Sequence, residues 1–237
     1  MVLSVFIAAE SMPSATQEAR WLAALPAVRA AELSRWADRA ARSRSLLGTR
    51  LLAHGLRRFG FDAGALASLR HPPRAKPSLD LPLDFSISHS EGCVACVLST
   101  AGPVGIDVEA VGRLTAGEFG RYLTPAERAW AGANSARFYA LWTRKEAVAK
   151  AAGGRGLADV AQVTVDLVRM TATLHGRRWQ TPAVPVGAGH VAHLAWLAHD
   201  GAAAASPPVE HVAPAALECD APARCAAPRA AAGALVL

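Results

Sequence analysis

With 237 residues and 52% hydrophobic side chains, the chain suits one large domain or two small ones around a buried core, which excludes a disordered protein. Its formal charge is +6, and because the stretch from residue 200 onward sets two arginines against four acids, the first 199 residues carry +8. Such a balance favours an anionic ligand or an acidic partner, while scattered arginines with few aromatics among them argue against nucleic acid.

The opening MVLSVFIAA lacks the basic start of a secretory leader and reads as a first β-strand. No stretch approaches the ~20 apolar residues of a membrane span, so the reading is a soluble, cytoplasmic protein. Residues 16–59 place Trp21, Leu22, Leu25, Leu33, Trp36, Leu46, Leu47, Leu51, Leu52 and Leu56 near helical spacing, and Pro26 divides the region into separate helices. The connection from His71 to Pro82, rich in proline, is extended or turning.

FSISHS and CVACVLS read as strands joined through Glu91 and Gly92, and VGIDVEAV as another after the Gly102-Pro103 turn. Helical patterns follow over 115–132 and 135–152, with Thr124-Pro125-Ala126-Glu127 as a start signal of N-cap, proline and early acid. Strands recur around VTVDL, TATLHG and HVAHLAWLA. This order predicts an α+β fold of two similar αβ halves related by a pseudo-two-fold axis, residues 1–102 and 103–200. The remainder, 201–237, holds 15 alanines and 5 prolines and reads as a tail that is disordered or at most partly helical.

Cys93 and Cys96 have a C-x-x-C spacing, but in an extended chain i and i+3 face opposite ways and no second metal-spaced pair follows. They are expected to be core cysteines in a reducing compartment; Cys219 and Cys225 fall in the tail.

Residues i and i+2 of a strand share a face, so Asp107 and Glu109 set two carboxylates side by side while Ile106 and Val108 turn to the core. Such a pair suits Mg²⁺, which keeps open positions for phosphate oxygens, although D-x-E is more often an ordinary solvated strand face. Glu146 and Lys150 stand at i and i+4 of a helix, which on a surface would be a salt bridge worth ~0.3–0.5 kcal/mol. The apolar stripe Phe138, Leu141 and Trp142 tends instead to bury that side of the helix, where a carboxylate needs a cation. His89, between Ser88 and Ser90, can bind phosphate if its segment faces a cleft.

In order along the chain, RSRSLLGTRLL, RAKPSL, DFSISHSEGCVACVL, VGIDVE and FYALWTRKEAVAKAAGGRGLA resemble the 4'-phosphopantetheinyl transferases, in particular the larger single-chain class that activates polyketide and non-ribosomal peptide synthetases. The resemblance covers roughly residues 1–200. It implies transfer of the phosphopantetheine arm of coenzyme A to a serine of an acidic acyl or peptidyl carrier protein, releasing adenosine 3',5'-bisphosphate, by a monomer.

The resemblance further implies Mg²⁺, with Mn²⁺ as an alternative, on Asp107, Glu109 and Glu146. Lys150 would contact the attacked phosphate, and Glu146 would take the serine proton, directly or through water. Lys76, Ser88 and His89 would bind the coenzyme's phosphates, Arg44 and Ser45 would lie near its nucleotide, and Arg29 near the 3'-phosphate. Three departures stand out: Ser86 replaces a frequent Asn, RAKP replaces Gly-Lys-Pro, and AAGGRGLA is one residue longer than the common turn. Two other readings use the same residues: an inactive coenzyme A-binding module and a Mg²⁺-dependent pyrophosphate hydrolase.

Overall fold

A computed structural model describes residues 2–73, 75–154, 156–198 and 207–218. The chain begins with β1 (Leu3–Ala9), then α1 (Ala15–Ala23), α2 (Ala27–Ser34) and α3 (Arg39–Arg58), followed by a 3₁₀ turn at Ala63–Ser68. Local signals account for these boundaries. Ser14 and Gln17 form a reciprocal capping box on α1, Pro26 precedes α2, and Asp38 caps α3 by accepting the Ala41 N–H.

Next come β2 (Asp84–Ser90), β3 (Cys93–Ser99) and β4 (Val104–Ala110), then a 3₁₀ turn at Gly120–Tyr122, α4 (Pro125–Ala131), α5 (Ser135–Ala151) and α6 (Leu157–Gln162). The described chain ends with β5 (Thr164–Asp166), β6 (Thr171–Leu174), β7 (Arg177–Gln180), β8 (His190–Leu197), β9 (Val209–His211) and α7 (Pro214–Glu218).

The strands form two sheets, ordered β2-β3-β1-β9 and β4-β8-β7-β6-β5. One long helix covers each. Leu47, Leu51 and Phe85 belong to the core under α3, and Phe138, Leu141, Val148 and Trp179 to the core under α5. A third core joins the sheets, with Val5, Ile7, Ala95 and Val97 meeting Val104, Ile106, Val108 and Leu194. Cys93 lies in this third core and Cys96 in the first, on opposite faces of β3, and both are free thiols.

The mixed α+β class holds, but three expectations are corrected. The helix read over 115–132 begins only at Pro125, where Thr124 and Glu127 close a capping box; Gly117 and Gly120 interrupt the stretch before it. β7 was missed, since its short basic RRWQ buries only Trp179 and lacks an alternating pattern. The third concerns the tail.

Rather than lacking structure throughout, the tail supplies β9, which pairs parallel to β1, and Val212 and Leu217, which are buried in the first core. The Arg50 guanidinium donates to the Leu217 carbonyl at 3.0 Å, and Glu210 meets His54 at 2.9 Å. The N-terminal sheet therefore includes a strand from beyond residue 200. Cys219 and Cys225 lie outside the described residues. No helix among those described is long and apolar enough to cross a membrane.

Candidate active site

The site is built where β4 passes between β2 and α5. A Cβ on Gly105 would stand 2.0 Å from the Ala147 carbonyl oxygen and 2.6 Å from the Ala151 nitrogen. Only a glycine lets the helix settle this closely on the strand. One strand step along the same face comes Asp107, and from α5 the Lys150 ammonium reaches its Oδ1 at 2.6 Å.

Asp107 is buried at 3% exposure, and its Oδ1 also accepts the Ser88 hydroxyl at 2.8 Å. Its Oδ2 is buried without a hydrogen-bond partner among the described residues. Glu109, two residues on, accepts from Ser90 at 3.3 Å. Desolvation, then the Asp107 charge, push the Glu109 carboxyl up to about 7, against the opposing pull of Lys150 and Ser90. Glu146 is likewise raised, by burial first and Asp107 after it, with Lys150 opposing. Burial alone would lower the Lys150 ammonium; the charges of Asp107, Glu146 and Glu109 outweigh it and hold the amine above its ordinary value.

Three mutually repelling carboxyls around one lysine form an undercompensated site. The orphaned Asp107 Oδ2 has the character of a ligand atom, since a buried carboxylate oxygen needs a donor or a cation. All the oxygens offered are hard donors, so the set fits a hard divalent cation chemically. As the side chains stand, no group of three or more His, Cys, Asp or Glu among the described residues is close enough to hold one.

His89 is exposed on the neighbouring strand, and its imidazole is lowered by desolvation first, then by the Lys150 and Arg44 charges, which Glu10 opposes. Arg44 donates to Glu10 at 2.9 Å, and the other Glu10 oxygen accepts the Gly92 N–H at 2.8 Å, which fixes the turn after His89. Arg44, His89, Lys150 and the three acids thus form one electrostatic neighbourhood. Beside Arg44 on α3, Ser45 accepts from the buried Arg29 at 2.8 Å; Arg29 also meets Glu32 at 2.7 Å and lies over the Trp36 ring.

Lys76 stands apart. Its ammonium contacts Asp84 at 2.5 Å and the Val104 carbonyl at 2.6 Å, at the start of β2, about 13 Å along the strand from Ser88. Desolvation outweighs Asp84 and lowers the amine. These contacts tie Lys76, expected from the resemblance to bind phosphate, to the entrance of β4. Surface clefts of about 350 Å³, beside Pro82, Asp84 and Pro103, and about 690 Å³, beside Phe61, Ala65 and Asp80, are not lined by Asp107, Glu109 or Glu146.

Sequence reasoning passed over Glu10 and Gly105, and took Ser90 only as a phosphate donor beside His89, not as a partner of β4. Ser90 had a signal: in DFSISHS the polar residues 84, 86, 88 and 90 alternate with Phe85 and Ile87, as on a strand whose polar face meets another element. Glu10 and Gly105 had none, because their partners lie far away in sequence.

Residues 103–200, which carry Asp107, Glu109, Glu146 and Lys150, match the family model described as the 4'-phosphopantetheinyl transferase superfamily. The chain is 34% identical over 83 residues to the 4'-phosphopantetheinyl transferase gsp of Aneurinibacillus migulanus, covering 33% of this chain and 35% of that protein. It is 34% identical over 125 residues to the 4'-phosphopantetheinyl transferase AcpT of Escherichia coli strain K12, covering 48% of this chain and 59% of that protein. The alignments thus span between about a third and three fifths of these relatives' lengths.

Proposed function

We propose that the protein is a 4'-phosphopantetheinyl transferase that moves the arm of coenzyme A onto a serine hydroxyl of an acyl or peptidyl carrier protein, releasing adenosine 3',5'-bisphosphate. The observation that carries this reading is the gathering of Asp107, Glu109, Glu146 and Lys150 within the segment that matches the superfamily. We place the protein in the larger single-chain class, a cytoplasmic monomer with two related halves, each a sheet under one long helix.

Mg²⁺ held by Asp107, Glu109 and Glu146 would neutralise pyrophosphate charge when bound. The chain's own groups do the rest. Lys150 faces the phosphate under attack and offsets charge on the departing bisphosphate, an electrostatic role suited to phosphoryl-type transfer. Glu146, whose carboxyl is raised by burial, is matched to accept the serine proton. His89 and Arg44, beside Lys150, are positioned to meet further phosphate of the coenzyme, with Ser45 next to Arg44 on α3 and Arg29 reaching Ser45 from α2. The +8 body favours acidic carriers, so docking is expected to weaken with salt.

The test is intact-protein mass spectrometry of an apo carrier protein incubated with this protein, coenzyme A and Mg²⁺, alongside an EDTA control. A gain of one phosphopantetheine arm that EDTA abolishes supports the transferase; no gain across several carriers, despite measurable coenzyme A binding, leaves a binding module.

A further inference from the structure

The edge strands β2 and β4 belong to different sheets and run parallel, joined by side chains. Asp84 Oδ2 accepts the Val104 N–H at 2.8 Å, Ser86 Oγ that of Ile106 at 3.3 Å, Ser88 Oγ that of Val108 at 3.3 Å, and Ser90 Oγ that of Ala110 at 2.8 Å. The offset is constant, so every second side chain of β2 caps every second amide of β4. A strand edge that would otherwise leave buried N–H groups unpaired is closed without a backbone ladder.

Two rungs do more. A serine hydroxyl has one proton to donate besides the lone pairs that accept. Ser88 gives that proton to Asp107 and also accepts from Lys150 at 3.1 Å, so its valences are filled. Ser90 gives its proton to Glu109. Ser86 has no such outlet, because the position matching Asp107 and Glu109 in its rung is Gly105.

We infer that Ser88 and Ser90 are positioning residues, which fix the Asp107 and Glu109 carboxylates to the seam between the sheets, whereas Ser86 serves the seam alone. This rests on the transferase reading and departs from the expectation that Ser88 binds coenzyme phosphate, since its hydroxyl is already engaged by three groups of the protein. Hydrogen bonds behind ligand residues of this kind commonly matter by about 10–100-fold in metal affinity or activity.

Ser86→Ala, Ser88→Ala and Ser90→Ala each remove one cap from a β4 amide, so all three should lower the thermal midpoint. Only Ser88→Ala and Ser90→Ala should weaken binding of Mn²⁺, titrated alone into the protein and followed by electron paramagnetic resonance, by about 10-fold or more. The same two should lower kcat for carrier modification with the KM for coenzyme A unmoved, and Ser88→Thr, which keeps the hydroxyl, should restore both. A wild-type protein that neither binds Mn²⁺ nor transfers the arm overturns the transferase reading and this inference with it. A wild-type protein that does both, with Ser88→Ala and Ser90→Ala indistinguishable from Ser86→Ala, overturns the positioning roles alone.

Discussion

Lys145 and Lys150 lie five residues apart on α5, and their surroundings differ in kind. Lys145 is wholly buried against Glu127, at 3.0 Å from Oε2, and donates to the Val163 carbonyl as well. Glu127 in turn accepts the N–H groups of Thr124 and Val165, at 2.8 and 2.9 Å. That pair is electrically balanced and its carboxylate oxygens are all engaged. Around Lys150 three acids share one ammonium, one of them with an unpartnered buried oxygen. Burial therefore does not tell a structural ion pair from a chemical one; unmet valence does.

The comparison breaks most sharply by mutation. Glu127→Ala strands the Lys145 charge and should cost about 3–5 kcal/mol in urea unfolding, with transfer per folded molecule retained. Asp107→Asn should do the reverse, lowering kcat/KM for carrier modification by at least about 10²-fold while circular dichroism stays normal. If Asp107→Asn unfolds the chain and Glu127→Ala does not, the assignment of the two pairs is inverted.

Gly105→Ala tests how α5 brings Lys150 to β4. A Cβ cannot fit against the Ala147 carbonyl, so the helix must retreat, at about 1–3 kcal/mol of stability, and transfer should fall with it. Retained activity with lost stability would separate the helix contact from the chemistry.

The smallest effect sharpens the contrast in charge. Glu109 in the folded protein holds its proton up to about pH 7, whereas in the unfolded chain it releases it near the ordinary glutamate value. The folded state thus binds more protons across that window, so this group's contribution to stability is full below about pH 4.5 and is lost as pH rises through 7. In EDTA, Glu109→Gln should raise stability at pH 8 by about 1–2 kcal/mol, a figure discounted for partial exposure, and the gain should fade by about pH 4.5. Thermal unfolding at both pH values reads this directly, and a gain equal at both would show that charge is not the cause.

Much of the site was legible because strand and helix periods alone put Asp107 beside Glu109 and Glu146 beside Lys150. The strands of DFSISHS, CVACVLS and VGIDVEA were equally clear, bounded by Gly92 and Gly102-Pro103. What the sequence withheld was long-range pairing. Glu127 was visible as a capping residue but not as the partner of Lys145, and nothing in RAKPSL pointed to Asp84 and Val104 as the partners of Lys76. Composition misled in the tail, where alanine and proline hide a strand of only three residues.

That strand bears on how the protein emerges from the ribosome. The sheet headed by β4 is assembled from residues 104–197, whereas the sheet begun by β1 waits for β9, about 110 residues after β3 ends. Domains commonly fold in order of synthesis, N-terminal first. Here the later half can have every strand in hand while the earlier one still offers the bare edge of β1 to solvent, chaperone or another chain.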